Sequence, residues 1–352
     1  MKFRSLISLL LFFVFVMQPI ASAAMETDQY NLPSVPLADI GDEVSKYVED
    51  NLRTALARIN SEIGRHQACL EAAHANKSYC ADAETEHVEL AYLRSNDAVA
   101  KELFKLLGGG NIFVSKIGKW INSHEFQASP SRYKTSYLHS IYVAAPLDYA
   151  TVSPTVRLFG VELGTDKLDH FFQQGYKYYK IQREAVAQGS TAEQATTKAI
   201  KWGQKTERTY FGLLVSGVYS NADLFANYAG MKFYQGLTKT ISTGNHTLPT
   251  PVVLKNGVWN VDDIALRENL LKPFLSDHLN EALNPSGYAF TIFRSVRRAV
   301  EKHSCPDWRS SLPNTTKANL ESRSASLEKW NGEDYGFTRK GRSISIATCF
   351  GD

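Results

Sequence analysis

The chain has 352 residues, 43% of them hydrophobic, and carries 39 Lys and Arg against 36 Asp and Glu, a formal net charge of +3. That length and apolar content suffice for a substantial core, and the near-balanced charge leaves no electrostatic footprint for nucleic acid. Four cysteines, at 69, 80, 305 and 349, fit an oxidising compartment; with no Cys-x-x-Cys among them, redox catalysis and a thiolate zinc site are both disfavoured.

Lys2 and Arg4 precede an apolar run from Leu6 to Met17, followed by Pro19 and Ala21-Ser22-Ala23, the order of a secretory signal peptide spanning residues 1–23. Cleavage is expected after Ala23 or Ala24. The apolar run falls short of the roughly 20 residues that span a bilayer, and no later stretch reads as a transmembrane segment, so a soluble periplasmic or secreted protein is expected. Losing Lys2 and Arg4 takes the formal charge from +3 to +1.

Residues 25–36 form a polar, Pro-containing lead-in. From Asp39 to Ala75 the spacing of Ile40, Val44, Val48, Leu52, Leu56 and Ile59 follows a helical stripe, and a second helix is predicted from Ala83 to Leu107. These make an N-terminal helical hairpin subdomain, residues 25–107, stapled by Cys69–Cys80 and ended by Gly108-Gly109-Gly110. The main helical domain, residues 111–352, begins with a short helix over Asn111–Ile121 and an extended, aromatic-rich stretch from Tyr133 to Tyr149. A strand over Val156–Leu163 leads into a helix from Thr165 to about Gln188. Ser190 and Glu193 have capping-box spacing for a helix reaching Tyr210, and Ser220 starts another that runs through Leu237. Asn256-Gly257 between apolar runs predicts a hairpin. Helices follow over Asp262–Ala282 and Tyr288–Lys302, then a polar surface loop over Ser310–Ser326, with Cys305–Cys349 tying back the end. The fold class is therefore mainly α: a multi-helix globular domain with a small β-hairpin and an N-terminal helical hairpin.

Two polar runs interrupt this apolar pattern: Asp166-Lys167-Leu168-Asp169-His170-Phe171 and Asp223-Leu224-Phe225-Ala226-Asn227. Residues four apart share a helix face, so Asp166 is placed over His170 and Asp223 over Asn227. If those faces meet, with Glu207 from the intervening helix, a carboxylate, imidazole and amide cluster forms inside a helical core. Burying such a cluster is costly and points to a use. Asp166, His170, Glu207 and Asp223 offer one imidazole and three carboxylates to a divalent metal, a set suited to zinc, manganese or iron. Without a metal, His170 acts as base, oriented by Asp166, and Glu207 as acid, as in glycan cleavage. In either form the candidate catalytic residues are His170, Glu207 and Asp166, with Lys167, Gln174 and Asn227 as candidate substrate contacts. Serine chemistry is disfavoured, since no Gly-x-Ser-x-Gly is present and Ser220 reads as a helix cap.

A structural reading stands beside this one. Asp166 complements a helix dipole, Asp223 sits at the reciprocal position of a capping box, and Gly230 with Ala222, Ala226 and Ala229 permits close packing. His278 and Glu281 follow Asp277 on one helix face and are expected to be exposed.

The pattern Asp166-Lys167-x-x-His170-Phe171, followed by Asp223-x-x-x-Asn227-x-x-Gly230, resembles that of VanZ-like and YfiM-like bacterial envelope proteins over about residues 164–237. The resemblance implies an envelope role, with a glycan or lipid component as partner. The expected function is thus an envelope-associated hydrolase, the alternative being a non-catalytic binding or scaffold protein whose polar network fixes helix packing.

Overall fold

The computed structural model describes residues 26–351 except 75–81, 112–113 and 268–269. The predicted leader and cleavage site, and the predicted Cys69–Cys80 link, involve residues outside this range. The architecture is mainly α, with short β elements and an N-terminal helical pair.

Helix α1 (Gly41–His74) is the longest, and its stripe of Ile40, Val44, Val48, Leu52, Leu56, Ile59 and Ile63 is buried as the periodicity predicts. It packs against α2 (Ala83–Leu93) and α3 (Asn96–Leu107). The predicted single helix over 83–107 breaks because Ser95 adopts an extended backbone and caps α3, accepting a hydrogen bond from the Ala98 N–H. Helix α4 (Lys116–Ser123) and the short α5 (Pro146–Ala150) follow. The stretch from Tyr133 to Tyr149 is not extended: it folds into a 3₁₀ turn at Tyr137–His139 and then α5, with Pro146 preset at the first helical position. Strands β1 (Thr155–Leu158) and β2 (Val161–Gly164) form a hairpin whose turn, Phe159-Gly160, has positive φ at both residues. Asp39 holds that turn, accepting from the Phe159 and Gly160 N–H groups, and also accepts from Gly41 at the start of α1.

The centre is a nearly continuous rod made of α6 (Thr165–Asp169), a π turn at His170–Gln174 and α7 (Gly175–Ala187). The i→i+5 turn brings residues five apart onto one face. His170 and Gly175 consequently both meet the same neighbour, α9 (Asn221–Gly236), which is buried along nearly all its length. Gly175 and Gly230 cross backbone to backbone: a Cβ on Gly175 would lie 2.6 Å from the Gly230 Cα. Helix α8 (Ala192–Glu207) packs on α7; its capping box is Thr191 with Gln194, one residue later than Ser190 and Glu193.

Strand β3 (Val218–Tyr219) precedes α9, and the hairpins β4–β5 (Ile241–Thr243, His246–Leu248) and β6–β7 (Val252–Lys255, Val258–Val261) follow it. The second turns at Asn256-Gly257 as expected. Of the helix expected over Asp262–Ala282, the described residues form α10 (Asp263–Arg267) and then 3₁₀ turns at Lys272–Phe274 and Asp277–Leu279. Pro273 lacks the N–H that a continuing helix needs. Strand β8 (Ser286–Tyr288) lies between β3 and β9 (Ser343–Ile344) in a three-stranded sheet. Helices α11 (Phe290–Ala299), a second π turn and α12 (Cys305–Ser311) come next. Residues 317–326, expected as loop, form α13, capped by a Thr316–Asn319 box. Cys305 is bonded to Cys349.

Two apolar clusters result. The larger joins α1, α3, the central rod and α9; the smaller surrounds Tyr30, Tyr142, Val300 and the disulfide. Residues 26–31, read from sequence as a polar lead-in, run through the interior instead. The Tyr30 hydroxyl donates to the Ile344 carbonyl and the Trp308 indole to the Tyr30 carbonyl, while Asp28 accepts from the Ile141 N–H.

Candidate active site

Where the rod, the end of α8 and the start of α9 converge, charged side chains collect around Lys167, which is 0% exposed. Its ammonium lies 2.7 Å from Asp166 Oδ2, 2.5 Å from Asp223 Oδ1 and 2.5 Å from Glu281 Oε1. An ammonium has three donors, and all are engaged by carboxylates. Burial opposes its charge, but the surrounding Asp166, Asp223, Glu281 and Glu26 outweigh that and raise its pKa well above the usual lysine range.

Asp223 is the hub. Its backbone N–H is capped by the Ser220 hydroxyl, as the capping reading requires, but its side chain does not reciprocate. One carboxylate oxygen goes to Lys167 and the other faces His170 Nε2 at 3.4 Å. Against the cost of burial, His170, Lys167 and these hydrogen bonds hold Asp223 below the ordinary aspartate range. The second ring nitrogen, His170 Nδ1, lies 3.0 Å from Asn227 Oδ1. With Asn227 accepting, Nδ1 carries a proton and Nε2 is the ring atom turned towards the cluster.

Glu207, the last residue of α8, completes the group: His170, Glu207 and Asp223 each offer a ligand atom, all within 4.8 Å of one another. Glu207 Oε2 accepts from the Ser220 N–H at 3.2 Å, whereas Oε1 is buried with no hydrogen-bond partner among the described residues. Burial, reinforced by Asp223, pushes the Glu207 carboxyl well above the usual glutamate range. Gly212 is required in the turn after α8, since a Cβ there would sit 2.2 Å from the Glu207 carbonyl oxygen and 2.7 Å from that of Val218.

Helix geometry accounts for who meets whom. Cα–Cβ bonds tilt towards the helix N-terminus, so Asp166, in the first turn of α6, reaches back past the helix end. Its oxygens take the Thr27 hydroxyl and Lys167. Asp166 is thus beside the cluster without orienting His170, the role expected from the i, i+4 spacing. Asp223 and Asn227 engage the ring instead. Lys167, expected to contact substrate, is enclosed, and Asn227 holds the imidazole. Gln174 is half-buried at the end of the π turn, and the cluster's hydrogen bonds among the described residues do not involve it.

Two acids escaped the sequence reading. Glu26 belongs to the buried N-terminal segment and accepts from the Ser216 hydroxyl at 2.7 Å. Glu281 is buried, contrary to the exposure expected for it, and takes Lys167 together with the Ser220 and Ser286 hydroxyls. Burial raises both carboxyls, with Asp223 adding to the effect, while Lys167 opposes it. His278 is also buried, stacked on Phe225 with ring centroids 4.6 Å apart. The only cue to Glu281 was the interleaving of Asn280, Glu281 and Asn284 with Leu279, Ala282 and Leu283; Glu26 had none.

Comparison with protein-family models, with curated proteins and with solved structures finds no match. The resemblance to VanZ-like and YfiM-like proteins is accordingly overturned. VanZ-like proteins are membrane-embedded, whereas among the described residues no helix is long and apolar enough to cross a membrane. What stands is a buried His/Glu/Asp cluster whose donor set can hold a divalent ion or form a catalytic network.

Proposed function

We propose that the protein is an exported hydrolase whose centre is a single divalent ion held by His170, Glu207 and Asp223. The observation that carries this reading is the buried Glu207 Oε1, which has no hydrogen-bond partner among the described residues although its neighbours His170 and Asp223 face the same space. A desolvated carboxylate oxygen without a partner costs on the order of 1–3 kcal/mol, and a coordinated cation removes that cost. Asn227 supplies the usual companion of a metal-ligating imidazole, an acceptor on the other ring nitrogen that fixes its tautomer. One imidazole with two carboxylates suits zinc, manganese or iron, and such an ion supplies a Lewis acid and a water ionised near neutral pH. Export is supported by the leader-like N-terminus and by the Cys305–Cys349 bond.

The substrate side of the proposal rests on the turn between α8 and β3. It carries Phe211, edge-on to His170, and then Leu213 and Leu214, which with Tyr288, Ala289, Lys340 and Arg342 line an open groove of about 640 Å3. Among the described residues no acidic side chain lines that groove. Apolar walls that also include two cations fit an amphipathic anion, an acyl chain ending in phosphate or carboxylate.

Metal analysis of untagged protein tests the centre. Wild type should carry one ion per chain, and H170A should lose it while keeping its circular dichroism. Metal-free wild type together with an unfolded H170A would instead make the network structural. For the groove, dodecyl phosphate should bind wild type and bind K340E/R342E at least tenfold more weakly; equal affinity removes the substrate assignment.

One observation favours a metal-free variant of the same activity. Burial raises the proton affinity of the Glu207 carboxyl, which suits it to act as a general acid with His170 Nε2 within reach as the base. Hydrolysis that survives chelation but not E207Q would select it.

A further inference from the structure

We infer that Lys167 is a built-in cation occupying the second position of what is otherwise a two-metal carboxylate site. The inference deepens the proposed metal centre and rests on it for the wild-type stoichiometry. A second group of acids, Glu26, Asp223 and Glu281, also brings ligand oxygens within 4.8 Å of one another. Asp223 belongs to both groups. One of its oxygens faces His170 and the other Lys167, whose ammonium also takes Glu281, the two-sided arrangement by which a bridging carboxylate joins two ions.

In this structure the second position holds an ammonium, 2.5 Å from both Asp223 Oδ1 and Glu281 Oε1. A lysine that touches substrate, or attacks it, needs access and a free amine. Lys167 has neither, since it is fully enclosed and its three donors all face carboxylates. What it supplies is fixed positive charge among Glu26, Asp166, Glu207, Asp223 and Glu281, five buried acids that otherwise depend on protonation or metal for neutrality. It also pins the Asp223 carboxylate with one oxygen turned towards His170. Lys167 is therefore a positioning residue, and it limits the centre to one ion. The acids it covers are all oxygen donors, the chemistry of a hard cation such as Mn2+.

Mn2+ titration followed by equilibrium dialysis and electron paramagnetic resonance tests this. Wild type should saturate at one Mn2+ per chain, with the six-line spectrum of an isolated ion. K167S should saturate at two, with the signal broadened by coupling between neighbouring ions, and should be stabilised by Mn2+ more than wild type is. K167S/E281Q, which removes one acid of the second set, should return to one. Two ions in wild type, or a folded K167S that binds no more ions than wild type does, overturns the inference. So does K167S that stays unfolded in millimolar Mn2+, because the metal should then do what the ammonium does. A wild type that binds none while K167S binds one would sink only the proposed hydrolytic metal centre and leave the role of Lys167 standing.

Discussion

Asp223 joins Lys167 to His170 through the two oxygens of one carboxylate, at 2.5 and 3.4 Å. Replacing it by Asn keeps the shape and deletes the charge, which leaves Lys167 buried with a weakened cage and the imidazole without its acidic neighbour. Breaking one side of a buried pair costs about 3–5 kcal/mol. D223N should lower the urea midpoint by a corresponding amount without changing the slope of the transition, and should lose bound metal.

Asn227 acts on chemistry rather than on folding. N227L removes the acceptor that holds the Nδ1 proton, so the Nε2 lone pair is no longer directed at Glu207 and Asp223. Metal affinity should fall about 10–100-fold, the usual cost of losing such a partner. N227D, which keeps an acceptor oxygen, should restore most of it in the same dialysis assay.

The glycine crossing should be sensitive to a single methyl group. A Cβ on Gly230 would collide with the Phe171 carbonyl oxygen, next to His170, and would press on Gly175 Cα at 3.0 Å. G230A should cost about 1–3 kcal/mol and weaken metal binding by shifting the π turn. G236A on the same helix meets only the flexible Ile241 side chain, at 3.1 Å, and should be mild in both thermal melts and metal titration.

Asp169, one residue before the π turn, points away from the cluster and accepts the Ser115 N–H and hydroxyl at the start of α4. Burial pushes its carboxyl up to about 7 despite those hydrogen bonds. Its folded-state pKa thus lies above the unfolded value of about 3.9. The stability it contributes is complete below that lower value and is lost as pH rises through about 7. D169N, neutral throughout, should gain on wild type between about pH 4 and pH 7 in urea melts; a constant difference across that range would contradict this.

Periodicity located α1, the central rod, α8 and α9, because each buries a stripe or a whole surface of regularly spaced apolar residues. It also placed Glu207 and Asp223 near His170, since polar residues in apolar helices have few other places to go. It mispaired Asp166 with His170, because shared-face spacing says nothing of a competing partner such as Thr27, far away in sequence. Glu26 and Glu281 escaped for a related reason. They lie in segments held by side-chain hydrogen bonds and 3₁₀ turns, which have no period to read. Lys167 was seen, yet its enclosure depends on those same two segments.

The N-terminal segment has a consequence for biogenesis. Gln29 accepts the backbone N–H of Glu281, a contact across 252 positions. Glu26 therefore leaves the ribosome long before the acids it will face exist, and the cage around Lys167 closes only when most of the chain has been made. Such distant pairing forms late and slowly. A polypeptide stopped short of Glu281 would hold a charged interior with one wall missing, a species suited to recognition by chaperones or proteases.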